Sequence, residues 1–281
     1  MLLVADSGSS KTDWVLRKSK GRYLEMKSLG YNPVYIGAPE IIKDIQNSLR
    51  GEFEFTSVRE VWFYGAGCSS IERSSIVKSA LSVVFPSAKI RIRHDVLGAA
   101  RAGLGHEKGI AGILGTGANA CFYDGREILK GLPSYGYLFG DEGSGAYLGK
   151  VLVNDFLKDK LPEGLSRKFK MVFDLDKDAL IEKIYASPKP NRVLASFSPF
   201  YSDFRGRDWV EKNLYIAFQT YFDAFIKPLE QEEKYPLSMV GSIAYHFKDV
   251  FQEVAEERGI EVKEILKVPV QNLMRYHESG F

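Results

Sequence analysis

The sequence is poor in cysteine and histidine and contains no long apolar run. Its 281 residues include only two cysteines, Cys68 and Cys121, which excludes a disulfide framework and suits a reducing compartment. The four histidines lack the paired spacing of a zinc site. No apolar stretch reaches the length of a membrane span, and the start of the chain lacks the features of a signal peptide. Together these absences predict a cytoplasmic protein.

The chain also lacks an excess of charge of either sign. Its 38 basic and 36 acidic residues give a formal net charge of +2. A balance this close gives no reason to expect nucleic acid or an anionic membrane as a partner. Hydrophobic residues make up 45% of the chain, as in an ordinary globular protein with a core. The length suits one large or two medium domains.

Two short turns rich in glycine and hydroxyl residues are the most informative features present. The first covers residues 6–13 and the second residues 115–119, and each lies between two strand-like apolar runs. Glycine lets backbone N–H groups approach a ligand closely, and serine and threonine hydroxyls add further donors. Two such strand–turn–strand units can hold the two ends of a triphosphate. The repeated pattern therefore predicts an enzyme that handles a nucleotide.

Strand and helix patterns divide the chain into two predicted α/β domains. Residues 1–107 form the first, and the turn-rich segment 105–109 is the predicted hinge. The pattern restarts in residues 108–281, where a long helix is predicted at 209–229 and another from 242 to about residue 257. The two halves share a layout, as expected of a duplicated fold.

Familiar nucleotide and hydrolase motifs do not explain these turns. Residues 115–120 match a relaxed dinucleotide fingerprint, but a strand-like segment follows instead of the required helix. Residues 8–12 end like a Walker A loop but lack its upstream glycine. No G-x-S-x-G nucleophile elbow occurs in the chain.

Several polar side chains stand where chemistry is expected. Asp6 ends a predicted buried strand and either caps its turn or holds Mg²⁺ through water. Asp95 follows another strand, where it is either a helix N-cap or a general base. Asp141 lies among three glycines before a helix, so it caps the helix or binds sugar hydroxyls or a metal. Asn32, in a turn before a proline, is either a turn residue or a sugar contact.

Taken in order, these segments resemble the BadF/BadG/BcrA/BcrD ATPase family and its N-acetylglucosamine kinase members, within the actin/hexokinase/Hsp70-type superfamily. The resemblance spans nearly the whole chain. It rests on two phosphate loops at residues 6–12 and 115–117, a sugar-kinase-like signature at 140–144, and an adenosine motif at 241–242. It implies two ribonuclease H-like α/β domains of the actin/hexokinase/Hsp70 type, with a nucleotide cleft between them.

The resemblance also implies an activity and a set of site residues. The sugar kinases of this family transfer the γ-phosphoryl group of ATP to the 6-hydroxyl of an amino sugar such as N-acetylglucosamine, with Asp95 as the catalytic base. Asn32, Asn119 and Asp141 would contact the sugar, and Asp6 would hold Mg²⁺. The implied ATP-binding residues are Asp6, Gly8, Ser9, Ser10, Lys11, Thr12, Gly115, Thr116, Gly117, Gly241 and Ser242.

The chain departs from its relatives in ways that leave the sugar open. Ser7 and Ser9 replace glycine or threonine in the first loop, and the segment 134–139 lacks the tryptophan of the animal N-acetylglucosamine kinases. A homodimer is compatible with the resemblance, because many relatives are dimers. Two other functions stay open: an ATPase that activates a radical dehydratase through a cysteine-bound iron–sulfur cluster, and a ligand sensor without turnover.

Overall fold

The computed structural model describes residues 1–279, which form two compact units. Unit 1 contains Met1–Lys108, the short segment Tyr123–Leu129, and the described residues from Val268 to Ser279. Unit 2 contains Gly109–Phe122 and Lys130–Lys267. The division expected from the sequence assigned the C-terminal segment to the second domain, whereas the structure packs it within unit 1.

Ten strands lie in the described part of the chain and form two five-stranded sheets. They are β1 (Leu2–Ser7), β2 (Lys11–Ser19), β3 (Arg22–Leu29), β4 (Glu60–Gly65), β5 (Lys89–His94), β6 (Gly109–Leu114), β7 (Ala118–Tyr123), β8 (Ile128–Gly131), β9 (Leu237–Val240) and β10 (Val262–Leu266). The order is β3-β2-β1-β4-β5 in the first sheet and β10-β9-β6-β7-β8 in the second.

Thirteen α-helices accompany the strands over residues 1–279. They are α1 (Ala38–Ser48), α2 (Ile71–Val84), α3 (Asp95–Leu104), α4 (Gly136–Phe139), α5 (Gly145–Leu157), α6 (Glu163–Phe173), α7 (Lys177–Tyr185), α8 (Pro190–Ala195), α9 (Pro199–Asp203), α10 (Asp208–Tyr221), α11 (Ser242–His246), α12 (Lys248–Glu257) and α13 (Val270–Glu278). Shorter 3₁₀ or π turns occur at Phe55–Ser57, Phe222–Ile226 and Lys227–Leu229.

The first sheet is covered on both faces, which explains its apolar strands. Strand β1 runs antiparallel to β2 and parallel to β4, and β4 runs parallel to β5. Side chains alternate along β4: Val61 and Phe63 join the core that contains α1 and α2, whereas Tyr64 contacts α3 and α13 through Arg101 and His277. Because β1, β4 and β5 run parallel to one another, their carboxyl ends lie at the same edge of the sheet.

The second sheet carries a large aromatic core. Strand β9 runs parallel to both β6 and β10, and the apolar face of α5 packs in the core beside aromatic residues from the later helices. The largest fully buried aromatic side chains of this core are Phe156, Phe169, Phe197, Phe200, Tyr201 and Tyr221.

Two predicted helices in unit 2 are corrected by the structure. The helix expected at 209–229 is α-helical only to Tyr221 and then continues as a π turn and a 3₁₀ turn; Pro228, which has no N–H to donate, lies in that last turn. The helix expected from residue 242 is interrupted at Phe247, whose backbone leaves helical geometry while its ring stays buried. Strand β10 was not predicted.

The α/β class predicted from the sequence is confirmed, since each unit contains a five-stranded sheet with helices packed against it. Within residues 1–279, no helix combines the length and the apolar character needed to cross a membrane.

Candidate functional site

A group of carboxylates lies at the carboxyl end of the first sheet. Asp6 on β1 stands opposite Asp13 on β2 in the strand register. Burial and, to a lesser extent, the negative charges of Asp95 and Asp13 together raise the pKa of Asp6 to about 7, against a smaller opposing effect of Lys11. Lys11 forms an ion pair with Asp13 at 2.6 Å. Asp6 is therefore a carboxylate that lacks sufficient positive charge around it.

The first glycine-rich turn is closed by its own backbone and packs against a neighbouring glycine. The N–H of Gly8 donates to the carbonyl of Lys11 at 3.0 Å. A Cβ atom on Gly30 would lie 2.4 Å from the carbonyl oxygen of Gly8, so only glycine fits there. Ser10 is exposed and Gly8 and Ser9 are half-buried, which leaves this turn accessible to a ligand.

The Thr12 hydroxyl makes structural contacts that the sequence did not predict. Its buried hydroxyl donates to the carbonyl of Leu29 at 2.7 Å and lies 2.7 Å from the Ser7 hydroxyl. The Ser7 oxygen in turn accepts the N–H of Tyr31 at 2.9 Å. This chain of hydrogen bonds ties β1, β2 and the segment after β3 together, so the Thr12 hydroxyl supports the turn.

Asn32 packs against the loop that follows β4. A Cβ atom on Gly67, whose φ is 78°, would lie 2.2 Å from Oδ1 of Asn32. The same Oδ1 accepts the N–H of Val34 at 3.0 Å. Among the contacts of the described residues, the Nδ2 group of Asn32 makes none, so it can still donate to a substrate oxygen. The sequence did not predict that Gly67 makes room for Asn32.

Asp95 is placed by a direct strand-to-helix junction. Strand β5 ends at His94 and α3 begins at Asp95, so His94, not Asp95, occupies the N-cap position. The Asp95 carboxylate reaches His94 at 2.9 Å and the N–H of Val96 at 2.8 Å. Its charge also raises the pKa of the Cys68 thiol, after the larger effect of burial. Asp95 is thus close to both Asp6 and the loop after β4.

The second glycine-rich turn is fixed by the first turn of α5. The N–H groups of Gly145 and Ala146 donate to the carbonyls of Gly115 and Thr116 at 2.8 and 3.1 Å. Within the turn, the Gly115 N–H donates to the carbonyl of Gly117 at 3.0 Å. A Cβ atom on Gly115 would meet no atom within 4 Å. The turn is therefore held on one side and open on the other.

Asp141 supports the second turn, a contact that its sequence pattern did not predict. It adopts a left-handed conformation with φ of 59°, and its Oδ1 accepts the N–H of Ala118 at 3.0 Å. A Cβ atom on Gly117 would lie 3.0 Å from this carboxylate. Burial raises the pKa of Asp141 although the Ala118 bond opposes the rise. The sugar-kinase-like signature and the second turn thus form one structure.

The predicted adenosine motif also lies against the second turn. Gly241 follows β9 with a φ of 129°, and a Cβ atom there would lie 2.4 Å from the carbonyl of Leu114 and 3.1 Å from the N–H nitrogen of Gly115. Asn119 is less available than expected, because its Oδ1 accepts the N–H of Ala120 at 2.8 Å. Gly241 therefore lies against the second turn, whereas Oδ1 of Asn119 already accepts a hydrogen bond within β7.

The two cysteines have the properties of core residues. Cys68 is 5% exposed and Cys121 is fully buried. Burial, assisted by the charge of Asp95, raises the pKa of Cys68 to about 12, so its thiolate is strongly disfavoured. Within the described residues, no group of three or more His, Cys, Asp or Glu side chains could hold a metal ion by itself. These observations give no support to an iron–sulfur cluster.

Comparison with known proteins places this geometry in a family. No protein-family model and no curated protein sequence gives a significant match. A candidate N-acetylglucosamine kinase from Porphyromonas gingivalis superposes with a TM-score of 0.93 and 36% identity, covering 100% of this chain and 99% of that one. A candidate N-acetylglucosamine kinase from Chromobacterium violaceum gives a TM-score of 0.71 at 18% identity, with 98% of each chain covered.

A third structure shares the fold alone. Component A of (R)-2-hydroxyglutaryl-CoA dehydratase from Acidaminococcus fermentans gives a TM-score of 0.52 at 12% identity, with 99% of this chain and 98% of that chain covered. The same fold thus occurs in proteins named for different functions, so the assignment of a function depends on the site residues.

Proposed function

Because this chain belongs to the BadF/BadG/BcrA/BcrD ATPase family, in its N-acetylglucosamine kinase-like branch of the actin/hexokinase/Hsp70-type superfamily, we propose that it is an ATP-dependent sugar kinase. Its substrate is an amino sugar such as N-acetylglucosamine, and the acceptor is the 6-hydroxyl. The observation that carries the proposal is the placement of Asp6 and Asp95 at one edge of the first sheet, close enough for the charge of Asp95 to raise the pKa of Asp6.

Asp95 is the general base of the proposed reaction. It lies at the first position of α3 with its carboxylate held by neighbouring donors. A positioned carboxylate can accept the proton of a sugar hydroxyl as that hydroxyl attacks the γ-phosphorus of ATP. Most of the rate enhancement in phosphoryl transfer comes from positioning and electrostatic stabilisation. A single well-placed carboxylate is therefore sufficient for the proton transfer.

Asp6 fits the metal of Mg-ATP. Mg²⁺ prefers one or two carboxylates together with phosphate oxygens and water, so the absence of a three-residue metal group within residues 1–279 is compatible with its binding. The raised pKa of Asp6 reports a carboxylate whose ionised form needs positive charge nearby. When bound, Mg²⁺ neutralises negative charge on the phosphates. Asp13, opposite Asp6 in register, is a second carboxylate nearby, although it is paired with Lys11 at 2.6 Å.

The remaining predicted residues are assigned to the phosphates of ATP, to its adenine base or to the sugar. The open turns at residues 8–11 and 115–117 provide backbone N–H groups for the phosphates, apart from those of Gly8 and Gly115, which donate within the turns. Gly241 with Ser242 allows the close approach of a flat purine. The Nδ2 group of Asn32 donates to the sugar. Asp141 acts mainly by shaping the second turn, and its carboxylate and Asn119 are the remaining proposed sugar contacts.

The test is an ADP-release assay with Mg-ATP and a panel of glucose, glucosamine, N-acetylglucosamine and N-acetylmannosamine. We expect strong turnover with an N-acetylated sugar and weak turnover with glucose. Asp95→Asn should retain ATP binding and lose about 10²- to 10⁴-fold in turnover, the usual contribution of a general base. The control Asp178→Asn changes an exposed aspartate on α7 and should be neutral. ADP release that needs no sugar, or none with any sugar, would contradict the proposal.

A further inference from the structure

His94 and Asp95 form a close pair at the junction of β5 and α3. Nδ1 of His94 lies 2.9 Å from Oδ1 of Asp95. The same Oδ1 also accepts the N–H of Val96 at 2.8 Å. His94 stands opposite Gly65 in the register of β4 and β5, and its side chain is only 26% exposed. The pair is therefore held between the end of a strand and the first turn of a helix.

The distances identify where the proton lies. Two close contacts involve Nδ1 of His94: one to Asp95 Oδ1 at 2.9 Å and one to the backbone N–H of Val96 at 3.3 Å. A ring nitrogen cannot donate to the first and accept from the second at the same time. The carboxylate can only accept, and the Val96 N–H has a shorter partner in Oδ1. Nδ1 of His94 therefore carries the proton and donates it to Asp95.

This assignment gives the two oxygens of Asp95 different roles. Oδ1 accepts two hydrogen bonds, one from a ring nitrogen and one from a backbone N–H. Among the contacts of the described residues, Oδ2 has no donor. A carboxylate held by one oxygen cannot rotate freely about its terminal torsion, which is otherwise broad. Its other oxygen then keeps one direction in space, as a general base requires.

We propose that His94 is a positioning residue for phosphoryl transfer: its Nδ1–H holds Oδ1 of Asp95, so that Oδ2 receives the proton of the sugar hydroxyl. This inference rests on the proposed function, because it assigns a helper to the proposed base. The electrostatics agree with it. Burial lowers the pKa of His94, but the hydrogen bond and the charge of Asp95 outweigh this effect and the pKa is raised overall.

Three substitutions of His94 test whether a hydrogen-bond donor at the position of Nδ1 is what matters, and not the rest of the imidazole ring. In His94→Asn, the amide nitrogen can take the place of Nδ1. In His94→Gln, the amide nitrogen lies farther out, near the place of Nε2, and His94→Leu has no donor. We expect kcat to fall about 10- to 100-fold in the Gln and Leu variants, since small displacements of reacting groups have effects of this size. The Asn variant should keep at least about a third of wild-type kcat.

The KM values for sugar and ATP should stay within about threefold in all three variants, because His94 acts on the base and not on substrate binding. The control His246→Leu changes an exposed histidine on α11 and should leave kcat unchanged. If His94→Leu does not fold, the difference in kcat between the Asn and Gln variants tests the proposal. Wild-type kcat in the Gln variant, or an Asn variant as impaired as Gln, would overturn the proposal.

A second measurement is independent of turnover. The pKa of His94, followed by NMR of its ring nitrogens, should fall when Asp95 is changed to Asn, because the carboxylate is what raises it. An unchanged pKa would overturn the pairing. A wild-type protein that phosphorylates no sugar but shows this shift would retain the pair and contradict the kinase assignment, so the two failures are distinguishable.

Discussion

Replacing Asp6 with asparagine is expected to stabilise the protein while abolishing its activity. The carboxylate of Asp6 is partly buried and lies near Asp13 and Asp95, so its ionised form is unfavourable in the folded protein without a ligand. Asparagine has nearly the same shape but carries no charge. The substitution therefore removes the repulsion and keeps the packing, at the expense of a group that the proposed mechanism uses to hold Mg²⁺.

The size and sign of the effect follow from the pKa. The pKa of Asp6 rises from 3.8 to about 7 on folding, and each unit corresponds to about 1.4 kcal/mol. Converting the whole pKa shift gives a destabilisation of the folded state of about 4 kcal/mol at high pH. We halve this to about 2 kcal/mol because solvent reaches the Asp6 side chain and screens its charge. Since the folded state binds the proton more tightly, the unfolding free energy of the wild type falls as the pH rises from about 4 to about 7.

The assay compares thermal unfolding of wild type and Asp6→Asn without ligand at pH 8 and near pH 4.5. At pH 8 the variant should melt about 4–8 °C higher, which corresponds to about 2 kcal/mol in a chain of this size. Near pH 4.5 most of the difference should vanish, because the wild-type carboxyl is then protonated. Mg-ATP should raise the Tm of the wild type more than that of the variant. A variant that is less stable at pH 8 would refute the reasoning.

Two further predictions concern the second turn and the cysteines. Gly241→Ala should weaken nucleotide binding and lower stability by about 1–3 kcal/mol, because Gly241 has a φ of 129° and a Cβ there would lie 2.4 Å from the carbonyl of Leu114. The control Gly164→Ala, in open space on α6, should be neutral or stabilising. Calorimetric titration with nucleotide measures the binding, and chemical denaturation measures the stability of both variants. Protein purified without oxygen should be colourless and free of iron, because both cysteines are buried; a visible absorbance band with bound iron would contradict this.

Local sequence signals predicted the features that depend on neighbouring residues. The two glycine-rich turns, the apolar strands around them and Asp95 after β5 are all visible in short windows, because alternation, glycine and a following helix pattern lie within a few residues. The structure has β1, β2, β6 and β7 around those turns as expected. The α/β class could be predicted for the same reason.

Contacts between distant segments could not be predicted in this way. The carboxylate of Asp141 reaches the N–H of Ala118 across 23 residues, and α13 packs with α3 in unit 1 although 165 residues separate Asp95–Leu104 from Val270. The hydroxyl of Thr12 points to Leu29 and Ser7, which no local pattern reveals. These roles depend on tertiary packing, which overrides what a turn composition suggests.

The most direct test of the central claim is to identify the product made from Mg-ATP and N-acetylglucosamine. Phosphorus and proton NMR of the reaction mixture should show the phosphoryl group on the 6-oxygen of the sugar, in an amount equal to the ADP formed. The Asp95→Asn reaction should form this product about 10²- to 10⁴-fold more slowly. Inorganic phosphate as the main phosphorus product, with the sugar unchanged, would contradict the account and indicate an ATPase instead of a sugar kinase.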